Sequence, residues 1–275
     1  MPFSFDDIPN LDGKVAIVTG SNTGIGFVTA RELAKRGCHV IFASRSREKT
    51  LAAIESIKSV VPDASKLEFI LLDLMSLQSV YNFVDEFRSR KLPLHILINN
   101  AGIMTPPFEL SADGIESQFA TNHVGHHALT VALLPILEAS APSRVVVVSS
   151  EGHKFALKQN GLALENLNNE AKYSAWAAYG RSKLGNILFA RELSRLLRER
   201  GVINVYINTL HPGLVSTELA RHMYWFVNWI LSWFAFTVDD GAKTQLYLAT
   251  SEDIVMNDWN GKYFMPIAQL AESSA

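Results

Sequence analysis

Tyr179 and Lys183 stand four residues apart. In a helix that spacing puts both side chains on one face, so the sequence predicts a phenol and an ammonium pointing into the same cleft. A phenol, with an ordinary pKa near ~10, is a poor proton-transfer group at neutral pH, and a nearby cation favours its phenolate. Such a pair can trade a proton with an alcohol or a carbonyl. A half-buried tyrosine beside a solvated lysine has the same spacing, so the surrounding elements must decide. The helix is expected to open at Tyr179 and to run to about Gly201.

With 275 residues, 48% of them hydrophobic, the chain can bury one large α/β core. A net charge of −2 leaves no clustered basic surface for nucleic acid. Cys38 is the only cysteine, which excludes an internal disulfide and a cysteine-based metal site. Residues 1–10 have neither a basic n-region nor an apolar stretch, so the chain is expected to be made without a secretory signal or N-terminal anchor and to lie in the cytoplasm. No linker, repeat or low-complexity run interrupts it, and residues 1–275 are read as one domain.

The elements that must position the pair begin at Lys14–Val18, an apolar, β-branched run of the kind buried on both faces of a sheet. Gly20-Ser21-Asn22-Thr23-Gly24-Ile25-Gly26 follows, then a helical run over Phe27–Arg36 and a second strand at Val40–Ala43. Strand, glycine-rich turn, helix and strand make a βαβ unit, in which the turn offers backbone N–H groups to a phosphate at a helix N-terminus. Three residues rather than one separate the first two glycines, so the shorter dinucleotide fingerprint does not apply. At the end of the second strand an acid would hold the ribose 2′-OH of NAD, whereas a cation suits the 2′-phosphate of NADP. Ser44-Arg45-Ser46-Arg47 stands there, which favours NADP(H) over NAD(H).

Further strands are expected at Leu67–Leu72, Leu94–Ile98, Arg144–Ser150, Ile203–Asn208 and Lys262–Met265, with helices over 48–60, 79–88 and 113–137. The pattern predicts a Rossmann-type, doubly wound parallel sheet of about seven strands flanked by helices. Asp73 and the Asn99–Gly102 turn close strands at the ligand side of such a sheet. His123, His126 and His127 invite a metal reading, but no carboxylate or cysteine completes a ligand set, and no metal is expected.

Thr19-Gly20-x-x-x-Gly24-x-Gly26, Asn99-Asn100-Ala101-Gly102, a serine closing the fifth strand, Tyr179-x-x-x-Lys183 and Pro212-Gly213 together resemble the short-chain dehydrogenase/reductase family from about Asp12 to Met265. Gly24-Ile25-Gly26 and Asn122-His123-Val124-Gly125-His126 look most like the branch with the retinol dehydrogenases and the WW-domain oxidoreductase. The resemblance implies a catalytic set of Asn122, Ser150, Tyr179 and Lys183. In it Tyr179 is the general acid or base, Lys183 tunes it and binds the nicotinamide ribose, Ser150 rather than Ser149 holds the substrate oxygen, and Asn122 holds a relay water. Tyr173 has no lysine four residues on. The resemblance also puts Gly20, Ser21, Asn22, Gly24, Ile25 and Gly26 at the pyrophosphate and Ser44 and Arg45 at the 2′-phosphate. It puts Asp73 and Leu74 at the adenine, Asn100, Ala101 and Gly102 at the ribose, and Pro212, Gly213, Val215 and Thr217 toward the nicotinamide.

The implied activity is NADP(H)-dependent interconversion of a lipophilic ketone or aldehyde and its alcohol. A catalytically weak NADP(H)-binding redox sensor or interaction protein is the alternative. Residues 218–238 are expected to form the variable substrate lid. Their aromatic stretch, 222–236, is too interrupted to span a bilayer, and its other readings are core packing, a contact within a homo-oligomer, or peripheral contact with a membrane.

Overall fold

The computed structural model describes residues 3–61, 66–158, 161–215 and 236–273. β1 (Val15–Thr19) is buried at every position, as an apolar run covered by helices on both faces requires. It pairs in parallel with β2 (His39–Ser44) on one side and β4 (Ile96–Asn99) on the other. With β3 (Leu67–Leu71), β5 (Ser143–Val148), β6 (Val205–Leu210), β7 (Tyr263–Met265) and β8 (Gln269–Ala271), the sheet has the order β3-β2-β1-β4-β5-β6-β7-β8. The described residues thus form eight strands where the sequence predicts about seven. The addition is β8, which returns antiparallel to β7; three residues are too short a run to carry a periodic signal.

Neighbouring residues on each central strand go to opposite cores. Val18, Phe42, Val148 and Phe264 pack with α1 (Gly24–Lys35) and α8 (Val238–Thr250). Ile17, Leu97, Val147 and Ile207 pack with α3 (Leu77–Ser89), α5 (Gly125–Ala139) and α7 (Ala175–Glu199). This is the doubly wound, Rossmann-type arrangement. After β1 the chain builds outward through α1, β2, α2 (Arg47–Lys58) and β3, then returns to place β4 on the other side of β1. The strand order reverses there, which opens a crevice above the carboxyl ends of β1 and β4.

Three boundaries differ from expectation. The helix expected from Asp113 starts at Ser117, because the Glu116 carboxylate accepts from Gln118 N and Phe119 N, each at 2.9 Å, and so caps it. That short α4 (Ser117–Phe119) passes through a π-helical turn, Ala120–Val124, into α5. The helix expected to open at Tyr179 begins at Ala175 behind the N-cap Ser174, so Tyr179 lies in its second turn. At the end of the expected lid, Phe236 pairs with Val215 and Thr237 caps α8, which already begins at Val238. The rest of 218–238, and with it the aromatic stretch from 222, lies outside the described residues. Among the described residues no helix is long and apolar enough to cross a membrane.

Leu97 is fully buried at the centre of β4, two residues before the turn that enters the crevice. Leu97→Ala is expected to cost roughly 2–5 kcal/mol in urea unfolding; a loss below about 1 kcal/mol would mean that the sheet closes over the deleted methyl groups.

Candidate active site

Thr19 ends β1, and its hydroxyl is where three segments meet. Oγ1 accepts from Asn100 N and Ala101 N, each at 2.9 Å, while Asn100 Nδ2 donates to the Thr19 carbonyl at 2.8 Å. His126 Nδ1 lies 3.1 Å from the Asn122 carbonyl, which can only accept, so that nitrogen carries the ring proton. His126 Nε2 then accepts the Thr19 hydroxyl proton at 2.8 Å. Burial pushes His126 down to about 3, which keeps the ring neutral and the pattern intact at physiological pH. The turn after β1, the turn after β4 and the π-helical turn that carries Asn122 are locked together.

Asn122 is itself fully buried. Its Oδ1 accepts from Ile103 N at 2.8 Å, and its Nδ2 donates to the Ile103 carbonyl at 3.0 Å and to Ser182 Oγ at 2.9 Å. Ser182 donates in turn to the Tyr179 carbonyl at 2.7 Å. The side chain therefore fastens the Gly102–Ile103 turn to α7. A Cβ on Gly102 would lie 3.1 Å from Asn122 Oδ1 and 3.6 Å from Lys183 Nζ, so this backbone passes close beside the lysine.

Tyr179 and Lys183 do share a face of α7, and both are buried. Lys183 Nζ lies 5.7 Å from the centre of the Tyr179 ring and donates to the Val148 carbonyl at 3.0 Å, which Asn186 Nδ2 also reaches at 3.1 Å. The two serines after β5 diverge. Ser149 Oγ is turned to the backbone of α7, donating to the Lys183 carbonyl at 2.8 Å. Ser150 Oγ lies beside the Tyr179 ring, since a Cβ on Gly152 would stand 2.8 Å from Tyr179 Cε1 and 3.3 Å from Ser150 Oγ, and it accepts from Gly152 N at 3.0 Å.

The electrostatics correct one expectation. The spacing predicts a phenol held low by its lysine, but burial pushes Tyr179 up, with only the Ser150 hydrogen bond working against it. The same loss of solvent pushes Lys183 down to about 8. Desolvation is the largest influence on both groups.

The residues expected at a dinucleotide lie around the same crevice. Gly20 has a φ of +64°, and a Cβ there would stand 3.0 Å from Ala101. A Cβ on Gly26 would stand 2.5 Å from both Asn100 Nδ2 and the Gly20 carbonyl, so neither glycine can carry a side chain without moving the turn. Gly24 opens α1, whose N-cap Thr23 makes no side-chain cap bond, and Asn22 is half-buried in the turn. Ser21 Oγ is buried and has no partner among the described residues. Free amides at a helix N-terminus beside an unpartnered buried hydroxyl fit a dinucleotide pyrophosphate.

At the other end Ile25 and Val215 converge on Gly241, and Gly213, after Pro212, is packed on the Phe236 ring. Thr217 lies outside the described residues. Arg45 is exposed at the end of β2, whereas the Ser44 hydroxyl is buried against Thr50. Asp73 Oδ1 accepts from Met75 N at 2.9 Å and shapes the turn after β3, and Leu74 packs against Gly125.

Only His126 parts from the other two helix histidines, entering the Thr19 network. His123 and His127 stay neighbours, with ring centres 6.1 Å apart, while His123 Nδ1 bonds Asn186 Oδ1 at 3.1 Å and His127 lies tilted against Phe189 with ring centres 4.7 Å apart. The Tyr173 hydroxyl donates to the Pro106 carbonyl at 2.8 Å. Ser182 and Asn186 are positioning residues that reading the sequence does not single out, and Thr19 and His126, which it names only in the turn motif, the branch motif and the metal reading, take positioning roles it does not give them.

A family model for the short chain dehydrogenases matches residues 14–161. Short-chain dehydrogenase TIC 32 A, chloroplastic, of Brassica napus is 43% identical over 93% of this chain and 81% of its own length. Retinol dehydrogenase 14 of Mus musculus is 40% identical over 92% and 78%. The WW domain-containing oxidoreductase of Gallus gallus is 42% identical over 93% of this chain and 62% of its own. The crystal structure of an uncharacterised protein from Mycobacterium paratuberculosis superposes with a TM-score of 0.78 at 35% identity, over 100% of this chain and 90% of that one. A short-chain dehydrogenase from Escherichia coli complexed with NADPH shares the fold, with a TM-score of 0.71 at 20% identity over 93% and 97%. The β1 turn, the crevice and the α7 pair, taken with these similarities, make this chain a member of the short-chain dehydrogenase family, an oxidoreductase of the retinol dehydrogenase-like branch.

Proposed function

We propose that the chain is an NADP(H)-dependent oxidoreductase that interconverts a lipophilic ketone or aldehyde and its alcohol, with Tyr179 as general acid and base. The observation that carries this reading is the convergence of the Ser150 hydroxyl, the Tyr179 ring and Lys183, next to a turn whose glycines and free amides fit a dinucleotide. When bound, the nicotinamide supplies or takes the hydride at the substrate carbon. Ser150 and Tyr179 hold the substrate oxygen with two hydrogen bonds, and these strengthen as negative charge develops there. In reduction Tyr179 gives its proton to that oxygen. The upward push on the phenol suits this acid role, because Tyr179 stays protonated at neutral pH. In oxidation the Tyr179 phenolate takes the alcohol proton while Ser150 keeps its hydrogen bond to the same oxygen. Lys183 binds the nicotinamide ribose, and Asn122 fixes the turn beside it and holds the relay water.

Arg45 supports NADP(H): it is exposed at the end of β2, while its neighbour Arg47 lies over the Phe69 ring at 5.6 Å. With the Ser44 hydroxyl bonded to Thr50, the 2′-phosphate contact rests on Arg45. A lipophilic substrate is supported by the aromatic composition of 222–236 and by apolar side chains left exposed, among them Leu214, Phe236, Phe155 and Trp176. The name of the retinol dehydrogenase relative points the same way.

NADPH oxidation against a panel of hydrophobic aldehydes and ketones tests the reading, and Tyr179→Phe is expected to lower kcat by roughly 10²–10⁴-fold while NADPH still binds. Equal rates for both proteins would favour the redox-sensor alternative. Arg45→Ala should raise KM for NADPH by about 10–100-fold and leave that for NADH nearly unchanged; equal effects on both would remove the preference for NADP(H).

Lys183 carries a third prediction. Its pKa falls from the ordinary 10.5 to about 8 on folding, so the folded chain is penalised by the buried charge below pH 8, and the penalty fades as pH rises toward 10.5. The Val148 carbonyl keeps Asn186 as a donor when the lysine is removed. Lys183→Met should therefore raise the Tm of the cofactor-free protein at pH 7 by roughly 3–8 °C while abolishing turnover, with the gain vanishing above about pH 10. A Tm that falls at pH 7 would show that the lysine stabilises the fold.

A further inference from the structure

Behind the Ser150–Tyr179 pair stands a second group of polar side chains that the mechanism above leaves unused. α6 (His153–Leu157) begins three residues after Ser150. His153 is fully buried, and its Nδ1 lies 2.7 Å from the Ser150 carbonyl, which the His153 backbone N–H also reaches at 3.0 Å. A carbonyl oxygen only accepts, so Nδ1 carries the ring proton and the tautomer is set. The imidazole is braced edge-on by Tyr263 of β7, with ring centres 5.7 Å apart. Tyr263 in turn donates its hydroxyl proton to Glu151 Oε1 at 3.3 Å, and Lys154 holds the other oxygen of that carboxylate.

The near side of the turn is equally constrained. The Gly152 N–H occupies one lone pair of Ser150 Oγ at 3.0 Å, and a Cβ on Gly152 would stand 2.8 Å from Tyr179 Cε1. The orientation of that N–H depends on the peptide planes between residues 150 and 152. Those planes are held from the far side by the two donors on the Ser150 carbonyl.

We propose that His153 is a positioning residue for Ser150: its Nδ1–H clamps the Ser150 carbonyl and so keeps the Ser150 hydroxyl on the Tyr179 phenol, with Tyr263 and Glu151 locking the ring. The inference rests on the roles given above to Ser150 and Tyr179. It has a consequence that mere packing does not share. The Ser150 hydrogen bond is what lowers Tyr179 against the upward push of burial, so loosening the clamp moves the tyrosine's titration to higher pH.

The other groups facing the pair are Glu151, His153 and Lys154 from the turn and α6, His211 from the end of β6, Tyr263 from β7 and Lys183 from α7. Burial holds His211 down at about 4 and Lys183 at about 8. Burial and the nearby Glu151 and Tyr179 push Tyr263 up, so it stays a neutral phenol. Burial works upward on Glu151, but Lys154 prevails and keeps it below its ordinary range. An alkaline limb in the wild-type rate profile therefore belongs to Tyr179 or Lys183, and a shift of that limb in Ser150→Ala assigns it to Tyr179.

The test compares His153→Phe, which keeps a ring but no donor, with His153→Asn, whose Nδ2 can stand where Nδ1 stood. Ser150→Ala is measured beside them, using the fastest aldehyde and alcohol pair of the panel. His153→Phe should lower kcat about tenfold or more, leave KM for NADPH unchanged and shift the alkaline limb upward; His153→Asn should restore most of the rate. Wild-type kcat and profile in His153→Phe, or equal losses in both variants, would overturn the proposal. If Ser150→Ala keeps full activity, the reading of Ser150 itself fails; if it is slow while His153→Phe is fast, only the clamp fails. Imidazole ¹⁵N shifts of the wild type give an answer that needs neither turnover nor a folded variant. They should report a proton on Nδ1 of His153, and a neutral Nε2–H tautomer would overturn the inference.

Discussion

A single hydroxyl, on Thr19, joins the parts from which the crevice is made. It accepts two backbone N–H groups from the turn after β4 and gives its own proton to His126, whose other nitrogen holds the Asn122 carbonyl. All three bonds are at or below 2.9 Å, and losing the buried one to His126 leaves a buried group unsatisfied and costs about 1–3 kcal/mol. With the Asn100 Nδ2 bond to the Thr19 carbonyl, the hydroxyl fixes the separation of the β1 and β4 ends. The glycine turn, the Asn100–Gly102 turn and the π-helical turn inherit their positions from that oxygen.

The centre built on this frame is held against its own electrostatic cost. Tyr179 and Lys183 are each about 5% exposed or less, so both ionised forms are disfavoured, and the lysine is moved toward neutrality by the burial that brings it to the phenol. The structure compensates with backbone rather than with a counter-ion. Val148 offers its carbonyl to Lys183, and Ser149 ties the Lys183 carbonyl back to β5. Adjacent serines thus divide the work between fastening α7 and facing the phenol, because consecutive residues leaving a strand point in opposite directions.

Much of this was legible in the residue order. The buried β-branched runs announce the central strands, the glycine spacing announces a close-packed turn, and four-residue spacing puts Tyr179 and Lys183 on one face. What escaped has physical reasons. The helix is expected to open at Tyr179 because Ala175-Trp176-Ala177-Ala178 has no marked polarity pattern, while the capping Ser174 stands further back. The helix expected from Asp113 was shortened by the Glu116 cap, and β8 exists only because β7 offers it an edge. Three histidines on one stretch read as a cluster, yet His126 turns into the Thr19 network, and the other two, though neighbours, pack against α7 through Asn186 and Phe189.

The sequence by itself determined the sheet class, the site of the glycine turn and the residue types available for proton transfer, since these follow from local periodicity and spacing. Tertiary structure alone decided the charge states and the supports. The upward push on Tyr179, the neutral His126 and the tautomer of His153 each depend on solvent excluded by segments distant in the chain, and on carbonyls that a one-dimensional pattern does not bring near. Proton-transfer chemistry is set by environment as much as by residue type, and the environment of Tyr179 is assembled from β5, β6, β7, α6 and α7, which meet only when the sheet has closed.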